Sequence, residues 1–408
     1  MTDTEPGIDY DTQRGRAEIE RQPVLAHCNH YNRSLHQYIE DPNYIDSERV
    51  FLQSAAETAY RLVSEYVDRN DASSDEALEF AEEVFRFTGH GTVDFSDVGS
   101  GKVVSRNSHY ARASKLNVGE RDEPAEYFDK GFIAGTLKAA AVSDGFDLRH
   151  ESSISLGDGV SEYTVDESAS YDWLDKTSPN PLPGLAEPPE RQVESSVDEE
   201  EVVENVLSLG VSGNDSGLIP YFGVELTWGF ADYYNKSSFR FENALLDQAG
   251  TVEIATDMLV EAGHICGFNT MGGIMKSEEW KAVVEPMTET RDDWLHGIVA
   301  VINALGWGVW RVDELIPDER LVVHVYEPYE SVGHLKWFGE SDHPVDYLAQ
   351  GVASSVMNLL YHGDITEEPE LDDSFYADLF RDKEAGFTAR QTSCVAMGDD
   401  YSEIIVEK

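Results

Sequence analysis

The sequence predicts an α+β protein built twice over, and three observations predict it. The stretch SISLGDGVSEYTVDE, Ser153 to Glu167, returns as CVAMGDDYSEIIVEK, Cys394 to Lys408, with Gly157 over Gly398, Asp158 over Asp399, Ser161 over Ser402 and Glu162 over Glu403. Upstream, GERDEPAEYFDKG (Gly119 to Gly131) returns without a gap as GESDHPVDYLAQG (Gly339 to Gly351). Further upstream, helix-like apolar spacing runs into Gly89-x-Gly91 in one copy and Gly306-x-Gly308 in the other, and then gives way to short alternating segments. Three blocks in the same order are the mark of a tandem duplication.

The elements follow in order within each copy. A first helix, Leu25 to Ile39 (Phe239 to Leu246), leads to a second, Ser47 to Val67 (Val252 to Ala262). A third, Ala77 to Phe87 (Asp292 to Leu305), ends at the paired glycines, which suit a helix C-cap and tight turn. Two short strands come next, TVDFSD and KVVSRNS, matched by VWRVDEL and LVVHVYEP. A helix starts after Pro124 or Pro344, and two closing strands flank the glycine-aspartate pair. Each half thus reads as helices packed on a small antiparallel sheet. The boundaries are an N-terminal extension over 1–20, a first copy over 21–167, an acidic proline-rich linker over 168–217 and a second copy over 218–408. Helix is expected to resume near the linker's end, at EEVVENVLSLGV.

Composition narrows the class. Of 408 residues, 79 are acidic and 30 basic, a net charge of −49, which leaves no basic stripe for a nucleic-acid backbone. The acids are spread along the chain and lysine is scarce. That is the surface of a protein kept hydrated in very high salt, as in a halophilic archaeon, where screening removes most self-repulsion. Three widely spaced cysteines, Cys28, Cys266 and Cys394, form no disulfide framework and suit a reducing cytoplasm. No apolar run approaches the ~20 residues of a membrane span, and the polar N-terminus is no signal peptide.

The helical N-terminal half, the glycine turn into strands and a closing C-x-x-x-G-D-x-x-[CS]-x-[FI]-x-V hairpin together resemble the 4-vinyl reductase-type small-molecule-binding domain, in both halves but not in the linker. That family includes sensor domains of aromatic-compound regulators and proteins linked to bacteriochlorophyll synthesis, and related folds occur in vesicle-tethering subunits. The resemblance implies a pocket for a small hydrophobic or aromatic ligand. It also implies, for the aromatic sensors, a zinc held on the hairpin by cysteines and a glutamate. Here Cys394 keeps the first cysteine position, Ser402 replaces the second and Gln391 stands at the glutamate position, while Ser153 and Ser161 replace both cysteines in the first copy. A tetrahedral zinc needs about four nitrogen, sulfur or carboxylate ligands, so the site is expected to be lost in both halves.

The densest cluster of reactive side chains is LAHCNHYNRSLHQYIED, Leu25 to Asp41. On a helix, Val24, Cys28, Tyr31, Leu35, Tyr38 and Ile39 share one face, with His27 at its edge and His36 on the opposite flank. His27 and His30, three residues apart, are near enough there to share a metal or a proton. As catalytic candidates His27, Cys28 and His30 offer an acid, a base and a nucleophile; as metal candidates His27 and His30 make half a site. The plainer alternative is that these groups cap a turn or satisfy buried backbone. The second copy reads SSFRFENALL, which sets Ser237, Ser238 and Arg240 against His27, Cys28 and His30 and assigns the working site to the first copy. Ligand-binding candidates are Tyr31 and Tyr38, with His27 beside them, then His90 between its glycines, and Arg106, His109 and Tyr110 after a strand. Binding is favoured over catalysis, with no cofactor assigned. The partners expected are a small ligand, with no nucleic acid and no membrane, and a second copy or a partner protein for any output. The alternative is a small-molecule hydrolase, a reductase-like enzyme or a metal- or haem-binding protein.

Overall fold

The structure is a computed structural model that describes residues 6–142, 147–166, 178–191, 195–381 and 386–408. Strands Asp9–Asp11 (β1), Arg16–Ile19 (β2) and Gln22–Cys28 (β3) lead into helices Asn29–Glu40 (α1), Ser47–Asn70 (α2) and Ser74–Phe87 (α3). A capping box starts α3, with the Ser73 side chain and Glu76 closing on each other's backbone. Strands Thr92–Asp94 (β4) and Lys102–Arg106 (β5), helices His109–Val118 (α4) and Tyr127–Ala139 (α5), and hairpin strands Asp147–Ser152 (β6) and Ser161–Asp166 (β7) complete the first half. The expected linker stretches 168–177 and 192–194 lie outside the described residues. Its final segment forms helix Glu199–Ser208 (α6), close to where the sequence placed it.

The second half repeats the order. Strands Ile219–Tyr221 (β8) and Val224–Phe230 (β9) precede helices Ala231–Ala249 (α7) and Glu253–Cys266 (α8). After α8 a π-helical turn, Gly267–Met271, runs on into the short helices Gly272–Lys276 (α9) and Glu278–Val283 (α10). Helix Arg291–Ile302 (α11), strands Val309–Ile316 (β10) and Arg320–Tyr326 (β11), and helices Tyr329–Trp337 (α12), Tyr347–Met357 (α13) and Asp373–Arg381 (α14) lead to the closing strands Thr388–Ser393 (β12) and Ser402–Glu407 (β13). Among the described residues, no helix is long and apolar enough to cross a membrane.

The α+β class holds, with three antiparallel sheets. Two have matching strand orders, β4-β5-β7-β6 and β10-β11-β13-β12, and their closing hairpins bulge at corresponding places, between His150 and Ser152 and between Gln391 and Ser393. The third sheet was not foreseen. It runs β1-β2-β3-β9-β8 and joins the halves at its centre, where Val24 pairs with Phe230 and Cys28 with Leu226.

That central pairing corrects the first helix. Residues 25–28 are strand, and α1 begins only at Asn29, where the Cys28 side chain caps the Tyr31 N–H. A strand buried on both faces carries no alternation to read, so Val24–Cys28 resembled the first turn of a helix. Its hydrogen-bond partner lies some two hundred residues away. Each half's glycine turn also crosses onto the other half's central strand: Ala26 N–H donates to Leu305 O and Trp228 N–H to Thr88 O, both at 2.9 Å. Only glycine fits at these crossings, since a Cβ on Gly306 would lie 2.6 Å from Val24 O and one on Gly89 2.9 Å from Leu226 O. These contacts set Ala26 against Trp228, so the structural counterpart of His27 is Gly229, not Ser237. The buried apolar residues form one continuous cluster through both halves.

Candidate functional site

A cavity of about 180 Å³ opens in the first half between α1, α4 and the loop leading to α5. Asn32, Arg33, His36, Gln37 and Glu40 line it from α1, at spacings that put them on one face of the helix. Tyr110 and Ser114 come from α4, and Arg121 and Ala125 from the loop. The inner wall is aromatic. His36 stacks between Phe51, at 4.1 Å between ring centroids, and Tyr110, at 4.5 Å. Its Nε2 lies 2.7 Å from the hydroxyl of Tyr233, a residue of α7 in the other half. Burial, aided by the nearby Arg121 guanidinium, brings the His36 imidazole down to about 3, so it is neutral at pH 7.

Asn32 organises the polar floor. Its amide nitrogen donates to Thr227 Oγ1 at 3.2 Å and contacts His109 Nε2 at 2.9 Å, while its oxygen accepts from the Tyr234 hydroxyl at 2.7 Å. Two donors on Asn32 make His109 Nε2 the acceptor, which leaves the proton on Nδ1, 3.5 Å from Glu225. Burial acts to raise the Glu225 carboxyl, but the His109 ring and the Arg112 guanidinium outweigh it and bring it down to about 2. At the rim, Arg121 makes a two-pronged pair with Glu40 at 3.0 and 3.1 Å. Arg33 stands between this cavity and a wider groove of about 580 Å³ that also takes in His30 and Glu225, and its Nε is buried with no hydrogen-bond partner among the described residues.

Behind Tyr110, His90 is fully buried and stacks on Phe128 at 4.4 Å. Thr88 Oγ1 donates to Val84 O, so it accepts from His90 Nδ1 at 2.8 Å; Nε2 is then a bare acceptor with no partner among the described residues. Burial holds the His90 imidazole well below its ordinary range.

The structure therefore divides the residues singled out in the sequence. Tyr110 lines the cavity, and His109 and His90 support it from behind. Arg106 is exposed at the end of β5, 3.5 Å from Asp94, and takes no part. Tyr38 lies half-buried on another side of α1, beside Glu261 and Tyr376. His27 and Tyr31 do not line the cavity with Tyr38. Both sit in a closed cluster between the halves, where His27 lies 4.1 Å from the Tyr31 ring, 4.8 Å from Tyr234 and 5.3 Å from Trp307. His30 is separated from His27 by the strand-to-helix junction and faces the open groove, so the two do not share one face. Among the described residues, no group of three or more histidine, cysteine, aspartate or glutamate side chains is placed to hold a metal ion.

Sequence reading missed Asn32, Arg121, Thr227, Tyr233 and Tyr234. The first lay inside the dense cluster but on its other face, and the last three belong to the other half of the chain.

The hairpin positions where the resemblance implied zinc are built around carboxylates. Glu126, just before α5, accepts from the hydroxyls of Ser153 at 2.8 Å, Ser161 at 2.7 Å and Ser155 at 3.0 Å. Burial pushes its carboxyl up, yet these donors and the Ser155 N–H outweigh burial and hold it below its ordinary value. Asp346 takes the same place in the second half, with Ser331 at 2.7 Å, Ser402 at 2.5 Å and Gln391 at 2.7 Å; here burial wins and the carboxyl is raised. Hydroxyls and one saturated carboxylate, joined in the second half by Gln391 and the single Cys394 thiol, do not fit a tetrahedral zinc. Each network instead pins its closing hairpin to the helix beside it.

No protein-family model matches the chain, and no curated protein matches it. Among solved structures, the crystal structure of the phenol-responsive sensory domain of the transcription activator PoxR with phenol matches at 16% identity and a TM-score of 0.28, covering 41% of this chain and 71% of that one.

Proposed function

We propose that this protein binds a small aromatic ligand in the first-half cavity, as a cytoplasmic sensor or carrier. The observation that carries the reading is the cavity wall itself. A neutral imidazole and a tyrosine ring stack there beside two arginines, one of which, Arg33, has a buried nitrogen without a hydrogen-bond partner among the described residues. An aromatic wall with a few convergent polar groups is the usual make-up of a small-molecule pocket. A planar ring matches the wall, and a hydroxyl or carboxylate on it matches the arginine side. The matching strand orders support the further reading that the halves, about 21–167 and 218–408, arose by duplication.

The test is titration calorimetry in molar potassium chloride with phenol, benzyl alcohol and benzoate, on the wild type and on Ser114→Phe. Ser114 is buried at the cavity edge, and a phenyl ring there takes the ligand's space. Affinity should fall at least about tenfold, or about 1.4 kcal/mol, while the melting temperature changes little. Failure of every ligand to bind the wild type, or equal binding by both proteins, removes the reading.

A further inference from the structure

The groove of about 580 Å³ beside the first-half cavity has a counterpart in the second half, and the chain's own linker lies against that counterpart. The first-half groove is walled by α1, α4 and the turn between β8 and β9. The second-half pocket is walled by α7, α12 and the turn between β2 and β3. The two turns are built alike. Glu18 pairs with Pro23 and Ile19 with Gln22, as Pro220 pairs with Glu225 and Tyr221 with Val224. Both turn residues have positive φ in each, 49° and 63° at Glu20 and Arg21, 54° and 73° at Phe222 and Gly223. Counted from the helix starts at Asn29 and Ala231, and from Gly119 and Gly339, all but one of the groove's lining residues have a counterpart lining the pocket.

In the second half Leu182 of the linker closes one side of the pocket. Asn180, two residues earlier, ties the segment to the end of α12. Its backbone N–H donates to Lys336 O at 2.8 Å and its side-chain amide to Leu335 O at 3.2 Å. These are carbonyls of the last turn, which a helix leaves without partners of its own. About 180 Å³ stays open beside the leucine. Among the described residues, none from the linker lines the first-half groove. Leu116, at the position of Lys336, is 73% exposed there.

We propose that the first-half groove is a docking site for an extended segment of a partner protein, carrying a leucine flanked by proline and an acidic residue. The seated linker gives the shape of the occupant: an open strand of chain with a leucine turned to the groove. The positions that differ between the two halves give its chemistry. Leu116 stands for Lys336 and Pro220 for Glu18, so the first-half surface is the more apolar. His30 stands for Asp232 and Arg33 for Asn235, so an acid and an amide give way to a histidine and an arginine. Arg33 Nε is buried without a hydrogen-bond partner among the described residues, and a carboxylate on the occupant supplies one. Glu225 is engaged elsewhere, 2.9 Å from Arg112 and 3.5 Å from His109. A second copy of this chain is a poorer occupant than a partner. Its linker is tethered beside its own second-half pocket, at an effective concentration on the order of millimolar.

The test titrates the full chain, in molar potassium chloride, into a fluorescein-labelled peptide and reads fluorescence anisotropy. The peptide is SPNPLPGLAE, residues 178–187, with Pro183→Glu to supply the acid. Saturable binding is expected. Leu116→Asp in the protein, or Leu182→Ser in the peptide, should weaken it at least about tenfold, the scale of one buried leucine side chain. Leu116 is exposed, so its variant should keep the wild-type melting temperature, and the peptide variant leaves the protein untouched. The peptide without the added acid should bind more weakly, and equal binding would strike the acidic residue from the proposal. No binding to the wild type would overturn it. So would binding that Leu116→Asp leaves unchanged, since the peptide would then be displacing the linker from the second half. Sedimentation velocity of the chain alone tests the other occupant: a concentration-dependent dimer that Leu116→Asp abolishes would give the groove to a second copy and overturn the partner reading.

Discussion

The cavity of the first half and the matching region of the second stand on one frame and are filled differently. Counted from the shared Gly119 and Gly339, His334 occupies the position of Ser114, and Glu330 that of Tyr110. In the second half the His334 ring lies 4.8 Å from Phe239 and 5.6 Å from Phe338, and its Nδ1 lies 2.8 Å from Gly339 O. Rings take the place that is open in the first half. The acidic partner changes role as well. Glu40 grips Arg121 at the cavity rim, whereas Glu242 takes His343 at 2.9 Å and the Tyr347 hydroxyl inside a packed wall. Interiors are close-packed, so a few side-chain volumes decide whether one backbone holds a cavity or a core.

The comparison has a second side: the first-half cavity depends on the second half. Helix α7, which carries Tyr233 and Tyr234, is held against α2 by Glu57, a buried carboxylate that accepts from Lys236 at 2.7 Å and from Arg240 at 2.7 and 2.8 Å. Glu57→Ala leaves two cations without their partner, one of them almost fully buried, and should cost about 3–5 kcal/mol. Denaturant titration in high salt measures it. A variant as stable as wild type would mean that α7 is held by other contacts.

A smaller effect is expected at the contact between α7 and the cavity wall. Tyr233→Phe leaves His36 Nε2 buried without its partner, at a cost of about 1–2 kcal/mol, and should weaken ligand binding as the stacked ring loosens. If stability and affinity both stay unchanged, the hydroxyl does not orient His36, and the first half builds its wall alone.

The smallest effect separates the two acidic pairs by pH. Hydrogen bonding to Glu242, ahead of the opposing effect of burial, raises His343 to about 9, so this imidazole is charged at pH 7. Its folded value lies above its ordinary one. The stabilisation is therefore complete below about pH 6.5 and is lost as pH rises through about 9. The difference in melting temperature between wild type and His343→Gln should be present at pH 7 and shrink by pH 10. A difference that persists at high pH would show that the imidazole acts by packing rather than by charge. Arg121, always protonated, gives the first-half rim no such dependence.

Much of this was legible in the chain. The repeated glycine-aspartate hairpins and the paired glycines marked the closing strands and the helix ends in both halves, because local hydrogen bonding and backbone freedom depend on residues a few positions apart. The His109–Tyr110 pair and part of the reactive cluster at residues 25–41 lie at the first-half cavity. What failed there was the face. Periodicity continued across Cys28 as if one helix ran through it, and so joined His27 to Tyr38 when the structure sets them in different environments.

Only tertiary structure decided the rest. Strand β3 finds its partner in β9, and the cavity takes its floor from Thr227, Tyr233 and Tyr234. Each of these contacts joins residues some two hundred positions apart. Composition and spacing record what a segment prefers on its own or beside near neighbours. They carry no trace of which distant segment supplies the missing hydrogen bond or ring, because that choice is made by the packing of the two halves as a whole.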